Sequence, residues 1–361
     1  MQKLLTILFL LFNASLSAQT FSVANLEIIK GSIADAEKVA NAYLLPLERS
    51  LNVSAAASIP YLIEAKSNKL IFRAGLEMEF IFAPTAHKSF DISSLGLEQF
   101  QPADPSQVVA QSFAGNDSQI LLESKSNYKV PQTSFPFYRE ESLISLSTLG
   151  GRMNPVILPV FNAGFSNNKW AVSLRGSPPI KFSDKTIGLW NAGLALQYSP
   201  GKAFDGINNE AVSLWLLTSA QITKLSYYPM LIPDETKTGI SLQSNNGPYD
   251  DQALDITAFT IPFRIMLSQK IRKYHVFAGA GLSYQASKVE LKGRYPVYFA
   301  DQANLFKIIV KDFTDPFDYN RRNFMFSLET GTTYDMGRFD LSGAVSFSKY
   351  LMITLAAGFK H

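Results

Sequence analysis

The sequence predicts an all-β protein: a transmembrane antiparallel β-barrel of about 10–14 strands behind a short N-terminal amphipathic helix. Three observations predict it. The first is strict period-two alternation. In Tyr350 to His361, Leu351, Ile353, Leu355, Ala357 and Phe359 share one face, while Met352, Thr354, Ala356, Gly358 and Lys360 share the other. Successive side chains of a strand point to opposite faces, and an apolar face backed by small, polar or charged residues over roughly 10 positions is the pattern of a barrel wall in lipid. The second is an export signal. Lys3 precedes the apolar run Leu4 to Phe12, and the small residues Ala14, Ser15, Ser17 and Ala18 follow. The third is composition. The chain holds 27 Phe, 15 Tyr and 47% hydrophobic residues, yet its mean hydropathy is only +0.04, as expected when the polar half of each strand cancels the apolar half.

The order along the chain follows. Residues 1–18 read as a signal peptide with cleavage after Ala18, or after Ser17, and are too short to span a bilayer as a helix. Residues 19–68 read as a lead-in and helix, and residues 69–361 as the barrel. Within the lead-in, 19–31 is expected to be extended. Ser32 and Asp35 have the spacing of a capping box, and Ala36, Val39, Ala40, Tyr43, Leu44 and Leu47 recur at three and four. Pro46 is expected to kink or end this helix. Val39, Tyr43, Leu44 and Leu47 form an apolar stripe that needs a surface, either the lumen, which the helix would plug, or the periplasmic rim.

The first wall strand is Lys69 to Ala83. Leu70, Phe72, Ala74, Leu76, Met78, Phe80 and Phe82 face one way, and Arg73, Glu77 and Glu79 the other. Such charges are costly against lipid and tolerable in a wet lumen. From Pro84 to Gly151 the chain is rich in Ser, Gln, Asn and Pro and reads as a long loop or folded-in segment with one or two weak strands. Further strands are Pro155 to Phe165, Lys169 to Arg175, Ile187 to Tyr198, Val212 to Leu225, Leu254 to Leu267, Lys273 to Tyr284, Asn323 to Tyr334 and 339–347. With the C-terminal segment these make ten, and the 84–151 stretch could raise the count to 12 or 14. Short connections alternate with long ones near 226–252 and 286–321, which places the long ones outside the cell. Tyr198, Tyr227, Tyr228, Tyr274, Tyr284 and Tyr350 lie near strand ends, as interfacial girdles would.

The candidate lumen residues are Arg73, Glu77, Glu79, Gly279, Gly281 and Glu329. Near the C-terminal end the inner faces carry Gly279, Gly281 and Ser283, then Ser327, Gly331 and Thr333, then Ser342, Ala344 and Ser346. Side chains this small are not expected to fill ten strands. The helix, the 84–151 segment, water or a solute would have to occupy the space.

Two stretches carry a resemblance. One is Asp35-Ala36-Glu37-Lys38-Val39-Ala40-Asn41-Ala42-Tyr43-Leu44-Leu45-Pro46-Leu47. The other runs from Leu149-Gly150-Gly151 through Asn154-Pro155 to Arg175-Gly176-Ser177-Pro178-Pro179. Together they resemble an uncharacterised outer-membrane barrel family of Bacteroidetes-type bacteria, a domain of unknown function. The resemblance implies a signal peptide, a helix and one barrel, with no assigned activity and no assigned residues. In plan the chain is also similar to outer-membrane long-chain fatty-acid transporters, although no Asn-Pro-Ala motif follows the signal segment.

Chemistry has few carriers. There are no cysteines, so no thiolate metal site or disulfide framework. The three histidines, His87, His275 and His361, lack metal spacing, and no Gly-x-Ser-x-Gly elbow occurs. The acidic residues Asp250, Asp251, Asp255, Asp312, Asp315 and Asp318 lack a calcium-loop pattern. A net charge of +3 without basic runs gives no reason to expect nucleic acid. We therefore expect no enzyme, cofactor or metal. The expected partners are the outer-membrane bilayer, the insertion machinery that would meet the C-terminal strand, and a small solute. The expected function is a passive channel or transporter for a small solute, hydrophobic solutes included. A closed scaffold displaying its loops to a secretion, assembly or surface partner is the alternative.

Overall fold

The computed structural model describes residues 23–56, 70–116, 118–125, 130–132, 139–141, 143–148, 155–182, 187–205, 211–228, 249, 251–300 and 308–361. The signal segment and its cleavage site lie outside the described residues.

One helix, α1 (Val23–Ala56), precedes ten wall strands. These are β1 (Ile71–Phe82), β2 (Val156–Ser166), β3 (Trp170–Phe182), β4 (Ile187–Asp205), β5 (Ala211–Tyr227), β6 (Ala253–Ile271), β7 (Tyr274–Lys292), β8 (Phe317–Asp335), β9 (Phe339–Phe347) and β10 (Leu351–Lys360). Every strand pairs antiparallel with its chain neighbours. The sheet closes where β1 meets β10, in register from Arg73 opposite Lys360 to Phe82 opposite Leu351. The count is ten. The 84–151 stretch adds no wall strand. Its short strands pair among themselves, as in Ser89–Asp91 with Val109–Gln111, and Phe100–Pro102 with Ser118–Ser124 and Leu143–Thr148. This insert leaves the wall at the Phe82 end of β1.

The alternation read from the sequence is the alternation of the wall. Phe263, Leu282, Phe324, Phe326, Leu355 and Leu174 are exposed outside, while Glu77, Glu79, Arg175, Arg264 and Glu329 are buried inside. At the end with short turns, Trp170 stacks near Tyr198, Tyr274 near Tyr334 and Phe339 near Phe359. Toward the other end Tyr284 meets Phe324. The ten residue steps from Tyr274 to Tyr284, tilted by roughly 40°, rise about 26 Å, the height of an outer-membrane apolar band. Tyr198, Tyr228, Tyr274 and Tyr284 fit girdles. Tyr227 and Tyr350 do not, because both are buried inside.

Above Tyr284 the outer face changes character. Lys224, Asp255, Lys288, Glu290, Lys292 and Asp318 occupy the outward positions and pair with one another, as in Lys224–Asp255 at 2.9 Å and Lys288–Glu290 at 2.7 Å. Hydrocarbon does not accommodate such a lattice, so this collar stands clear of the apolar belt. It also explains why two strands outrun their expected limits: β7 continues to Lys292, and β8 starts at Phe317. Both faces are polar or mixed there, which hides the alternation. The 286–321 connection is accordingly shorter than expected, spanning 293–316, and contains the hairpin Arg294–Ala300 with Ile308–Thr314.

The helix also departs from expectation. It begins by Val23, so 23–31 is helical rather than extended, and it passes through Pro46 to Ala56. Ser32 and Asp35 therefore lie inside it and cap nothing. Local start and stop signals are worth about 1 kcal/mol apiece, and Pro roughly 3. Enclosure outweighs them, since burying each of Tyr43, Leu44, Leu47 and Leu51 stabilises by about 1.5–3 kcal/mol.

Candidate functional site, a plugged lumen

The site is the barrel interior, and it has three levels. At the loop end α1 lies within the wall, touching β1, β2, β5, β6, β7 and β8. The candidate plug residues Val39, Tyr43, Leu44 and Leu47 are all buried. They pack with Ile92, Leu97 and Phe100 of the insert and with Ile256, Val289 and Tyr319 of the wall. The insert is strapped to the helix by polar bonds. The Asp35 carboxylate accepts the backbone N–H groups of Glu98, Gln99 and Phe100 at 2.5, 2.8 and 3.2 Å, and Phe113 N–H donates to the Tyr43 carbonyl at 3.0 Å. Burial raises the Asp35 carboxyl above its usual range, opposed by those three N–H bonds. Lower on the helix Glu48, fully buried, accepts from Ser287 Oγ (3.0 Å), Tyr319 OH (2.9 Å) and Arg321 (3.2 Å).

At mid-height the acidic residues singled out by sequence come together around two arginines. Arg175 of β3 bonds Glu77 at 2.6 Å and Glu79 at 2.8 Å, and also Gln221 at 2.9 Å. Asn162 donates to Glu77 at 2.6 Å. Arg264 of β6 pairs with Glu329 of β8 and bonds the Ala56 carbonyl at the end of α1. Ser54 donates to Glu79, and Thr260 to Asn52 at 3.1 Å. Thus Glu77, Glu79 and Glu329 belong to one belt that also grips the plug. Arg73 faces inward near the short-turn end, outside it. Arg175 and Arg264 were not foreseen. The available signal was their parity: each is the one cation on the inner face of its strand within the apolar belt, beside Leu174 or between Phe263 and Ile265.

The short-turn end corrects an expectation. Its small inner residues do not leave a void. Trp215, Leu217, Met266 and Phe277 reach in from the wall and pack with Ala171, Ala344 and Ala356. A side chain at Gly279 would strike Met266, one at Gly281 would strike Arg264, and one at Gly331 would strike the Phe277 ring. Gly279 and Gly281 therefore make room for neighbours and line no free passage. A polar patch on β3–β5 runs from this cluster past the level of Arg175. Ser177 is opposite Asn191, which is opposite Thr223, with Ser219 and Gln197 further along. All five are buried, and their side-chain polar atoms have no hydrogen-bond partner among the described residues.

His87, in the insert, shares a 2.7 Å hydrogen bond with Tyr350 OH, and burial together with nearby Lys349, Arg49 and Arg321 lowers its pKa to about 4. His275 is buried on the inner face of β7. Among the described residues no three His, Cys, Asp or Glu side chains converge as a metal site. Asp255 is held by Lys224 and Lys292.

No curated protein matches the sequence. Among solved structures the chain is similar to the outer membrane transporter YddB from Escherichia coli (9% identity, TM-score 0.31, covering 78% of this chain and 39% of that one). The chain thus spans well under half of YddB. It is also similar to the outer membrane protease OmpT from Escherichia coli (8%, TM-score 0.30, 84% and 99%) and to the toluene transporter TodX of P. putida (8%, TM-score 0.23, 81% and 89%). The model of one family of unknown function, DUF6588, matches residues 1–361, and the chain belongs to that family.

Proposed function

We propose that the protein sits in the outer membrane and is a gated conduit for a small solute, with α1 and its strap as the gate. One observation carries this reading: the loop-end part of the lumen is filled by a helix that is no part of the wall and is held at mid-height by hydrogen bonds to charged groups. Barrels of about eight strands are filled by their own side chains, whereas here a separate segment does that work. A buried ionic grip contributes less to stability than apolar packing of the same volume, and water can replace it. The apolar belt, the charged collar above it and the long connections beyond the collar support the membrane location, with the loops outside and β10 as the strand that the insertion machinery would meet. The unpartnered amides and hydroxyls of β3–β5 favour a polar or hydrated solute over a hydrophobic one, because buried polar groups need partners.

The chain has no cysteine, so a lock can be installed cleanly. Asn52→Cys with Thr260→Cys places two thiols where side chains already touch. In planar bilayers we expect conductance steps from the reduced double variant and silence after oxidation. Silence in both states, together with silence of Glu48→Ala, would sink the gate.

The Trp215, Met266 and Phe277 cluster favours a second reading, a closed scaffold. It predicts no conductance until Phe277→Ala is added to a released α1.

A further inference from the structure

We propose that the loop-end lumen binds a small oxyanion, a carboxylate or phosphate group, between Arg49 of α1, Arg321 of β8 and Lys349 of the β9–β10 turn. The inference deepens the gate reading by naming a ligand for the plug, and it rests on that reading for its consequence alone.

Four elements converge at this place. Arg49 lies within electrostatic range of Arg321, Glu48 and Tyr350, and His87 of the insert lies within range of Arg49, Arg321 and Lys349. The local charge does not cancel. Three cations, Arg49, Arg321 and Lys349, face one carboxylate, Glu48, which leaves an excess of two positive charges. Glu48 already accepts from Ser287, Tyr319 and Arg321, and Arg321 also bonds the Asn41 side chain. Among the described residues Arg49 has neither an ion pair nor a hydrogen bond, and its Nε is fully buried. The nearest acids higher on the helix do not reach it, since Glu37 is twelve residues away, about 18 Å along the axis. His87 is uncharged at neutral pH and cannot answer the excess.

A half-buried guanidinium beside another is destabilised twice, by lost hydration and by like charge. An oxyanion removes both costs. Its oxygens would accept from Arg49 and Arg321 together, a geometry that planar guanidinium groups favour, with Lys349 at the rim. Bound there, the anion would bridge the helix to the wall and hold the gate shut.

The test reads binding rather than conduction, so a silent channel and a failed site are told apart. Purified protein in neutral detergent is heated with sodium phosphate, sodium acetate or sodium chloride at equal ionic strength, and the unfolding midpoint is followed by heat-modified gel mobility. We expect phosphate and acetate to raise the wild-type midpoint saturably and chloride not to. Arg49→Gln should weaken the phosphate response by about tenfold or more in concentration, whereas Arg49→Lys should retain it and Lys202→Gln, at the far end, should leave it unchanged. In chloride alone Arg49→Gln should melt no lower than wild type, because it removes the repulsion. Nanodiscs of phosphatidylcholine with and without phosphatidylglycerol separate the sources: a raised midpoint with the anionic lipid and no added phosphate assigns the oxyanion to a headgroup. Equal effects of phosphate and chloride on wild type, or an undiminished phosphate response in folded Arg49→Gln, would overturn the site.

Discussion

The two ends of the lumen solve one packing problem with different parts. At the short-turn end, Trp215, Met266 and Phe277 extend from the wall into room left by Gly279 and Gly331. At the loop end the wall strands are longer, and the space is taken by α1 and the insert. A filler rooted in the wall cannot leave without breaking the barrel. A filler that is no part of the wall and is held by packing and polar bonds can. The difference separates the part of the interior that holds the barrel together from the part that is free to act.

The sharpest way to break this comparison is the ionic belt where the two ends meet. Arg175→Met would strand two buried carboxylates, and we expect a loss of about 3–5 kcal/mol in denaturant-unfolding measurements on the folded barrel. Adding Glu77→Gln and Glu79→Gln should recover most of it. If Arg175→Met alone is harmless, the belt is not closed as described. A smaller effect is expected from Asp35→Ala, which deprives three backbone N–H groups of their acceptor and should loosen the strap by about 1–3 kcal/mol. Hydrogen exchange at Glu98–Phe100 should rise while that of β6 and β7 stays unchanged. If the whole barrel loosens instead, strap and wall are one unit.

The mildest test is acid. The His87 pKa is about 4 in the folded protein and near 6.5 when unfolded. The unfolded chain therefore takes up the proton first, so the contact is intact above about pH 6.5 and loses stability as pH falls from there toward 4. Protease sensitivity of the insert should increase over that window in wild type and stay flat in His87→Gln.

The lipid-facing half of each strand was legible because hydrocarbon imposes a simple rule on alternate residues. Phe324, Phe326 and Leu328 against Ser327 and Glu329 leave one solution. The rule lapses where both faces are apolar, as at Trp215-Leu216-Leu217 or Val276-Phe277, so the cluster packed at the short-turn end was invisible. It lapses again in the collar, where Lys288 and Glu290 alternate with buried Ser287 and Val289 inside water-facing strands. Of the site, Glu77, Glu79 and Glu329 could be read because an acid opposite an apolar face has no other place to go. Their arginine partners sit two strands away around the sheet, Arg175 on β3 from the acids of β1 and Arg264 on β6 from Glu329 on β8, and no single strand records that. The helix boundaries failed for a related reason: Ser32, Asp35 and Pro46 speak for an isolated helix, and this one is enclosed.

The seam between β1 and β10 bears on biogenesis. Joining the first strand to the last completes an enclosure around a segment that precedes both, and α1 held inside would brace that junction as it zips. Damage to the inner helix should then show first as slow maturation in the cell, before any leak can be measured.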